Sequence, residues 1–160
     1  MRTRTLVSIV ILVLAVLLVI SSCATGKKMI TVDDAMKKFE GVWINTEYEE
    51  LDFMHPQKLI VTSDGRIETR QLSTQTIPSD KGEFTVAESW TDLKGNMYCT
   101  VDVKWQMVGR TKELWKLDTS GDIHEINYML SFGDEYPTTI DPDPDPNAAT
   151  ALYYSIYYRQ

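Results

Sequence analysis

Apolar and polar residues alternate strictly in the middle of the chain. The odd-numbered positions of this stretch are apolar: Met97, Cys99, Val101, Val103, Trp105 and Met107. The positions between them are mostly polar: Tyr98, Thr100, Asp102, Lys104 and Gln106. Successive side chains of an extended strand point to opposite faces, so a period of two is typical of a strand with one buried face. The pattern therefore predicts a half-buried strand over residues 97–107.

Turn-forming sequences divide the rest of the chain into similar runs. They are Ser63-Asp64-Gly65, Ser79-Asp80-Lys81-Gly82, Lys94-Gly95-Asn96, Gly109-Arg110 and Ser120-Gly121-Asp122. Between them we predict about eight strands, at roughly 42–48, 57–63, 66–72, 83–91, 97–107, 112–118, 123–131 and 151–159. Eight antiparallel strands with short connections are enough to close an up-and-down barrel, which leaves no exposed edge. The sequence predicts an all-β protein of this kind, with a β-sandwich as the alternative.

A short helix is predicted before the strands. Thr31 is a good N-cap, and Asp34 stands three residues later, where an acidic side chain can complete a capping box. Lys37 and Lys38 follow near the end of the segment, which closes at Phe39. We expect one N-terminal helix of about two turns.

The first residues carry a separate apolar pattern. Arg2 and Arg4 precede an almost uninterrupted apolar run from Leu6 to Ile20. A helix over residues 6–22 would reach only ~25 Å at ~1.5 Å per residue, short of the ~30 Å hydrocarbon core of a bilayer. A cleaved secretory signal peptide is favoured over a membrane-spanning helix. The predicted domains are the signal peptide (1–22), a tether (23–30) and a barrel domain (31–160).

The end of this run, Ile20-Ser21-Ser22-Cys23, resembles the lipobox of bacterial lipoproteins. The resemblance implies that Cys23 receives a diacylglyceryl thioether and becomes an acylated, palmitate-bearing N-terminus. Membrane lipid is then the first expected partner, and the expected location is a lipid anchor in the bacterial cell envelope. Ala24, rather than an aspartate, follows the cysteine, which favours the outer over the inner membrane. The alternative is an incidental cysteine near an ordinary cleavage site.

Composition excludes some partners and shapes the expected stability. The chain has 16 basic and 23 acidic residues, for a net charge of −7, and removal of Arg2 and Arg4 with the signal peptide makes it −9. Such an acidic chain is not expected to bind nucleic acid, because nucleic-acid binding requires clustered basic residues. If Cys23 carries lipid, Cys99 is the single remaining thiol and no intramolecular disulfide forms. We expect Cys99 to be a buried, small hydrophobic residue.

The sequence lacks the common motifs of catalysis and metal binding. No nucleophile elbow, Walker motif or His-Glu-x-x-His motif is present. The two histidines, His55 and His124, are expected to be surface or packing residues. Alternating prolines and aspartates at 141–146 predict an extended loop before the last strand, and their spacing departs from that of a calcium loop. We therefore expect no enzyme activity, no cofactor and no metal.

The segment Phe39-Glu-Gly41-Val42-Trp43 resembles the Gly-x-Trp motif of lipocalins, which follows a short helix and begins the first strand. In that family, a basic residue of the last strand commonly lies over the tryptophan, and Arg159 is the matching residue here. The resemblance implies an eight-stranded calycin barrel in which Gly41, Trp43 and Arg159 are structural. The chain departs from the family where the Pro-Asp loop replaces the usual helix before the last strand.

A lipocalin-like barrel implies a cavity for one small hydrophobic ligand or lipid. The alternation predicts seven lining residues: Phe84, Val86, Trp90, Met97, Val101, Val103 and Trp105. Glu88 is in phase with this set, so it is either a polar group that meets the ligand or the mark of a β-bulge. The expected function is ligand binding by an anchored envelope protein. The alternative is a non-catalytic interaction or inhibitor module with a filled barrel and an unknown protein partner.

Overall fold

The computed structural model describes residues 26–47, 56–130, 135–143 and 152–160. The predicted signal peptide, Cys23 and His55 lie outside these described residues. A two-residue strand, β1 (Lys28–Met29), precedes the helix α1 (Val32–Phe39). Eight further strands are β2 (Gly41–Ile44), β3 (Lys58–Val61), β4 (Arg66–Arg70), β5 (Asp80–Thr91), β6 (Met97–Trp105), β7 (Arg110–Leu117), β8 (Ile123–Leu130) and β9 (Leu152–Arg159).

Strands β2 to β9 close into an antiparallel barrel. Each strand pairs with the next one in sequence. The first barrel strand, β2, also pairs with the last, β9, and this pairing closes the barrel. Trp43 is therefore opposite both Leu59 and Arg159. The eight strands form one cycle in which every strand has two partners, so the barrel prediction is confirmed and the sandwich alternative is wrong.

The two ends of the barrel differ. The short turns β3–β4, β5–β6 and β7–β8 lie at one end together with α1, which we call the closed end. The connections β2–β3, β4–β5, β6–β7 and β8–β9 leave from the other, the open end. Because α1 covers only the closed end, an interior cavity can reach solvent only through the opposite end.

Capping and amphipathicity explain α1. The backbone N–H of Asp34 donates to Thr31 Oγ1 at 3.1 Å, which confirms the predicted N-cap. Ala35, Met36 and Phe39 are buried, while Lys37 and Lys38 are exposed near the last turn. The buried face of the helix packs on the interior of the barrel and seals it.

The N-terminal segment joins the barrel at its closed end. Lys28 and Met29, which the sequence assigns to the tether, form β1 and pair with Thr91 and Trp90 at the end of β5. The backbone N–H of Ile30 donates to the carbonyl of Ser89 at 3.1 Å. Since β1 runs antiparallel to β5, the chain that precedes Lys28 reaches the barrel from the closed end.

A bulge in β5 changes which side chains face inward. Val86 is opposite Val101, but the next pair is Glu88 with Thr100, so one extra residue is inserted in β5. After the bulge, Ser89 faces the fully buried Cys99, and Trp90 pairs with Tyr98. The bulge interpretation of Glu88 is confirmed. Its consequence is that the inward alternation of β5 shifts by one residue.

The connection before β9 is attached to the outside of the barrel. Asn127 is fully buried, and its Nδ2 donates to the carbonyls of Asp141 and Tyr153 at 3.0 and 3.2 Å. The N–H of Asp141 donates in return to Asn127 Oδ1 at 2.6 Å. One buried amide therefore holds the first part of the Pro-Asp loop against strands β8 and β9.

Candidate functional site

Aromatic rings fill the closed half of the barrel. We call this cluster the aromatic floor and define it as Phe39, Trp43, Phe84, Trp115 and His124. Ring centroids of Phe39 and Trp115 are 5.5 Å apart, and those of Phe84 and Trp115 are 5.1 Å apart. These tilted arrangements are favourable for aromatic pairs. This half of the barrel has no room for a ligand, because side chains occupy it.

Arg159 covers the floor from outside. Its guanidinium carbon lies 4.2 Å from the centroid of the Trp43 ring, which confirms the predicted cation–π contact. The guanidinium also donates to the carbonyls of Lys38, Glu40 and Gly121 at 2.7, 3.1 and 2.8 Å. Arg159, on β9, is thus hydrogen-bonded to the end of α1 and to the β7–β8 turn while it lies over the ring of Trp43.

Gly41 allows the chain to pass beneath this arginine. Its φ is +151°, and a Cβ at this position would lie 3.0 Å from a terminal nitrogen of Arg159. Trp43 Nε1, two residues later, donates to the carbonyl of Phe39 at 2.9 Å. The Gly-x-Trp pair therefore has a physical explanation in this chain: the glycine makes space, and the tryptophan fixes the helix to the first barrel strand.

His124 lies at the centre of the floor. It is fully buried, and its ring centroid is 4.9 Å from Phe39 and 5.1 Å from both Trp43 and Trp115. Neither ring nitrogen has a hydrogen-bond partner among the residues that the structure describes. Burial, assisted by the charge of Arg159, lowers the pKa of His124 to about 3, so the ring is neutral at physiological pH. His124 is a packing residue, as predicted.

Above the floor, a cavity of about 70 Å³ extends toward the open end. It is roughly half as large as an engineered apolar cavity of ~150 Å³ that binds benzene. Its apolar walls come from Leu59, Ile67, Ile126 and the aromatic residues Trp105, Tyr128 and Tyr157. Polar groups are also present around it: Thr69, Gln71, Ser79, Asp80, Thr111, Glu113 and Ser155. The site therefore suits a small molecule with both apolar and polar parts.

A buried carboxyl group lies where the floor meets the cavity. Glu113 is 3% exposed, and its Oε2 accepts a hydrogen bond of 2.6 Å from Nε1 of Trp115, a floor residue. Its Oε1 accepts one of 2.6 Å from Oγ1 of Thr111, which in turn accepts from Nε1 of Trp105 at 3.1 Å. Burial raises the pKa of Glu113, although these donors oppose the shift. The group is held in one orientation by neutral donors.

The mouth of the cavity has a second carboxyl group with different partners. Asp80, at the start of β5, accepts hydrogen bonds from the backbone N–H groups of Lys81 and Met107 at 2.7 and 3.1 Å, and from Val108 at 3.4 Å. These bonds hold the β6–β7 connection against the start of β5. Asp80 therefore both lines the cavity and shapes its rim.

The structure distributes the seven predicted lining residues over different environments. Trp105 lines the cavity. Phe84, Val101 and Val103 are buried in the core below it, and Val86 and Met97 are partly buried against that core. Trp90 lies on the outer face because of the bulge: it stacks on Tyr98 with centroids 5.6 Å apart, and Lys27 Nζ lies 4.2 Å from its ring centroid. One of the seven residues therefore meets the cavity.

The cavity residues that the sequence did not identify come mainly from β7, β8 and β9. On β7, the inward positions are Thr111, Glu113, Trp115 and Leu117, and all four are buried. A signal was present, because Glu113 is in phase with Trp115 and Leu117 and out of phase with Lys112 and Lys116. An acidic residue in phase with buried positions must find hydrogen-bond donors if it faces inward, as Glu113 does.

Cys99 has the role expected of it. It is fully buried in the core, and burial raises the pKa of its thiol to about 12. A thiol in this state is protonated and inert at physiological pH. Cys99 therefore packs as a small hydrophobic residue.

Searches for metal sites, membrane-spanning helices and relatives give few further constraints. Within the described ranges, no group of three or more His, Cys, Asp or Glu residues is arranged to hold a metal ion. The part of the chain that the structure describes contains no helix long and apolar enough to cross a membrane. Comparisons with protein-family models, with curated proteins and with solved structures found no match. The barrel and its cavity are therefore the features that indicate function.

Proposed function

We propose that this protein is a lipid-anchored, lipocalin-like binding protein of the bacterial envelope that takes up a small molecule through the open end of its barrel. The role is binding rather than catalysis. The observation that carries the proposal is the cavity between Glu113 and the open end, which combines aromatic walls with a fixed buried polar group. Sites for small molecules commonly have this composition, apolar walls with a few placed polar groups.

The size of the cavity limits the ligand. At about 70 Å³, it admits a compact molecule or one end of a longer one, but not a whole lipid. The aromatic floor blocks deeper entry, since Trp115 and His124 are fully buried among other rings. We therefore replace the expected lipid cargo with a small amphipathic ligand.

The described chain enters the barrel at the end opposite the mouth of the cavity, and we propose that the lipid anchor lies at that end. Two residues, Ala24 and Thr25, separate Cys23 from Gly26, a reach of at most ~11 Å over three Cα–Cα steps when fully extended. Gly26 is in turn close to Leu93 of the β5–β6 turn, since a Cβ on Gly26 would be 3.3 Å from that side chain. The closed end then faces the bilayer, and the open end receives ligand from the aqueous compartment.

The surface of the closed end is compatible with contact to lipid headgroups. Leu93 is 90% exposed at the tip of its turn, and Met29 on β1 is also exposed. Lys27, Lys28 and Lys94 are exposed near these two residues in the chain. Basic residues near an anionic membrane surface contribute about 1 kcal/mol each, which supplements a lipid anchor.

A second function, docking of an envelope protein, is favoured by one feature of the outer face. The stacked pair Trp90 and Tyr98 lies outside the barrel wall, where Trp90 is 7% exposed beneath Lys27 and Tyr98 is half-buried, in a depression whose rim includes Lys116, Glu125 and Ile140. Aromatic residues are enriched in protein interfaces. This alternative requires no occupied cavity, so the two functions predict different effects of filling the barrel.

The test is to fill the cavity and measure ligand uptake. Thr69→Trp places an indole at a half-buried cavity position on β4, whereas Thr85→Trp places the same side chain on the exposed face of β5. Mature protein with Cys23→Ser is examined by native mass spectrometry for co-purified small molecules. We expect a bound species in the Thr85→Trp protein and its loss in the Thr69→Trp protein. Absence of bound species from the parent protein, with retained capture of one envelope protein, would support the alternative.

A further inference from the structure

We propose that the ligand of this cavity is a small organic cation, an amine whose ammonium group binds beside Glu113. The inference rests on the proposed binding function and adds the chemical class of the ligand. It depends on three observations: the charges of the cavity lining, the hydrogen bonds of Glu113 and the aromatic residues around the same space.

The described lining of the cavity carries acidic but no basic side chains. Among the lining residues that the structure describes, Glu113 and Asp80 are the two with carboxyl groups, and none is a lysine, arginine or histidine. Asp80 is compensated by three backbone N–H groups. Glu113 forms no ion pair with any described residue, and its donors, Thr111 and Trp115, are neutral. Among the described residues, Glu113 therefore has no counter-cation.

A buried carboxylate without a cation is costly, which is why burial raises the pKa of Glu113, and a cationic ligand would stabilise the ionised form. Ion pairing in a desolvated site is strong when the geometry is fixed by further hydrogen bonds. Thr111, Trp115 and Trp105 are side-chain donors to Glu113, and a carboxylate has about four acceptor positions. About one acceptor position thus remains for an ammonium N–H that approaches from the cavity.

The aromatic walls favour the same class of ligand. Trp105, Tyr128 and Tyr157 line the cavity that Glu113 closes. The faces of such rings attract organic cations, most strongly when water is excluded. An anionic ligand would meet two carboxyl groups and no cation of the described lining, and a neutral ligand would gain no ion pair with Glu113.

Three probes of nearly equal size separate these possibilities: n-propylammonium, n-propanol and propionate. The full chain, purified in detergent, is titrated with each probe by isothermal calorimetry at neutral pH. We expect n-propylammonium to bind with a dissociation constant of about a millimolar, as is reasonable for so small a ligand. Binding of the other two should be at least tenfold weaker.

Charge-removing variants locate the binding. Glu113→Gln should weaken n-propylammonium binding at least tenfold, because a charge-assisted hydrogen bond is lost. Glu83→Gln removes one negative charge from the exposed face of β5 and should change the affinity less than twofold. If Glu113→Gln fails to fold, Asp80→Asn keeps an acceptor oxygen for the loop N–H groups and should still reduce cation binding severalfold.

The outcomes distinguish the inference from the function that it extends. Equal or tighter binding of n-propanol or propionate would overturn the cation assignment while leaving a small-molecule barrel in place. Unchanged cation binding in a folded Glu113→Gln protein would overturn it as well. Failure of all three probes, together with no co-purified ligand in native mass spectrometry, would remove both the assignment and the proposed binding function.

Discussion

At the scale of single residues, the barrel interior contains two buried ionisable side chains, His124 and Glu113. They are expected to change the pH dependence of stability in opposite directions. His124 is kept neutral in the aromatic floor, where burial lowers its pKa to about 3. Glu113 is held above the floor, where burial raises its pKa. Both shifts disfavour charge, and each makes folding depend on pH in its own range.

For His124, stability is expected to decrease in acid. Between about pH 6.5 and pH 3 the unfolded chain binds a proton on His124 that the folded chain does not, so the free energy of unfolding decreases as the pH falls through this range. The slope approaches about 1.4 kcal/mol per pH unit. His124→Phe should remove this contribution in urea unfolding at pH 7 and pH 4.5. His55→Gln measures what the other histidine contributes, and an unchanged slope in His124→Phe would contradict the assignment.

For Glu113, the expected sign is the reverse. Its folded pKa lies above the unfolded value of about 4.5, so the folded chain retains a proton that the unfolded chain releases. The contribution of Glu113 is complete below pH 4.5 and is lost as the pH rises from there through the folded pKa. Glu113→Gln should flatten this part of the stability profile in the same urea experiment. A profile identical to that of the parent would show that Glu113 is not held as described.

At the scale of elements, the link between α1, β2 and β9 through Arg159 determines the closed end. Gly41 allows this link because an L side chain there would combine a strained φ of +151° with a Cβ 3.0 Å from the guanidinium. The arginine contacts elements that are far apart in sequence, since it reaches from β9 to the carbonyls of Lys38 and Glu40. Displacement of Arg159 should therefore loosen the helix and the last strand together.

Gly41→Ala tests this link against a matched glycine. Gly109 has φ +96° and no atom within 4 Å of an added Cβ, so Gly109→Ala measures backbone strain without a clash. We expect Gly109→Ala to lower the free energy of unfolding by about 1 kcal/mol. Gly41→Ala should cost about 1 kcal/mol more, because the cation–π contact is also disturbed. Equal losses in thermal or urea unfolding would show that Arg159 adjusts freely.

The elements also show what the sequence could and could not predict. Alternation in β6 and the turn sequences were sufficient for the barrel, because both depend on local geometry. The Gly41-Val42-Trp43 motif correctly predicted the contact with Arg159. The bulge at Glu88 was recognised, but its effect on Trp90 was not followed, since pairing across strands decides where the alternation shifts. Glu113 was missed because its environment is assembled from β6, β7 and the floor.

At the scale of the whole molecule, the path of the chain separates the entry of the N-terminal segment from the mouth of the cavity. The segment that precedes β1 meets the closed end, and the cavity opens at the other end. Anchored at Cys23 as we propose, a protein of this shape would collect ligand from solution beside the membrane, rather than from the bilayer itself. This separation of the two ends follows from the pairing of β1 with β5 and does not depend on which ligand binds.

Single cysteine labels at the two ends test this orientation. Leu93 and Ile77 are both highly exposed, at the closed and open ends respectively. Leu93→Cys and Ile77→Cys proteins, lipidated at Cys23 and reconstituted in vesicles, would each carry a fluorophore. Buried Cys99 should remain unlabelled. We expect quenchers on the lipids to quench the Leu93→Cys label several times more strongly than the Ile77→Cys label. The reverse order would place the mouth against the membrane.

The central claim is that a small molecule binds inside this barrel, and the indole N–H signals of the four tryptophans test it most directly. Trp105 lines the cavity, Trp115 donates to Glu113, Trp43 lies in the floor below, and Trp90 is on the outer face. In ¹⁵N-labelled protein titrated with n-propylammonium, and then with the small-molecule fraction of an envelope extract, the account predicts shifts of Trp105 and Trp115 while Trp43 and Trp90 stay in place. Shifts confined to Trp90, or no shift with either addition, would contradict it.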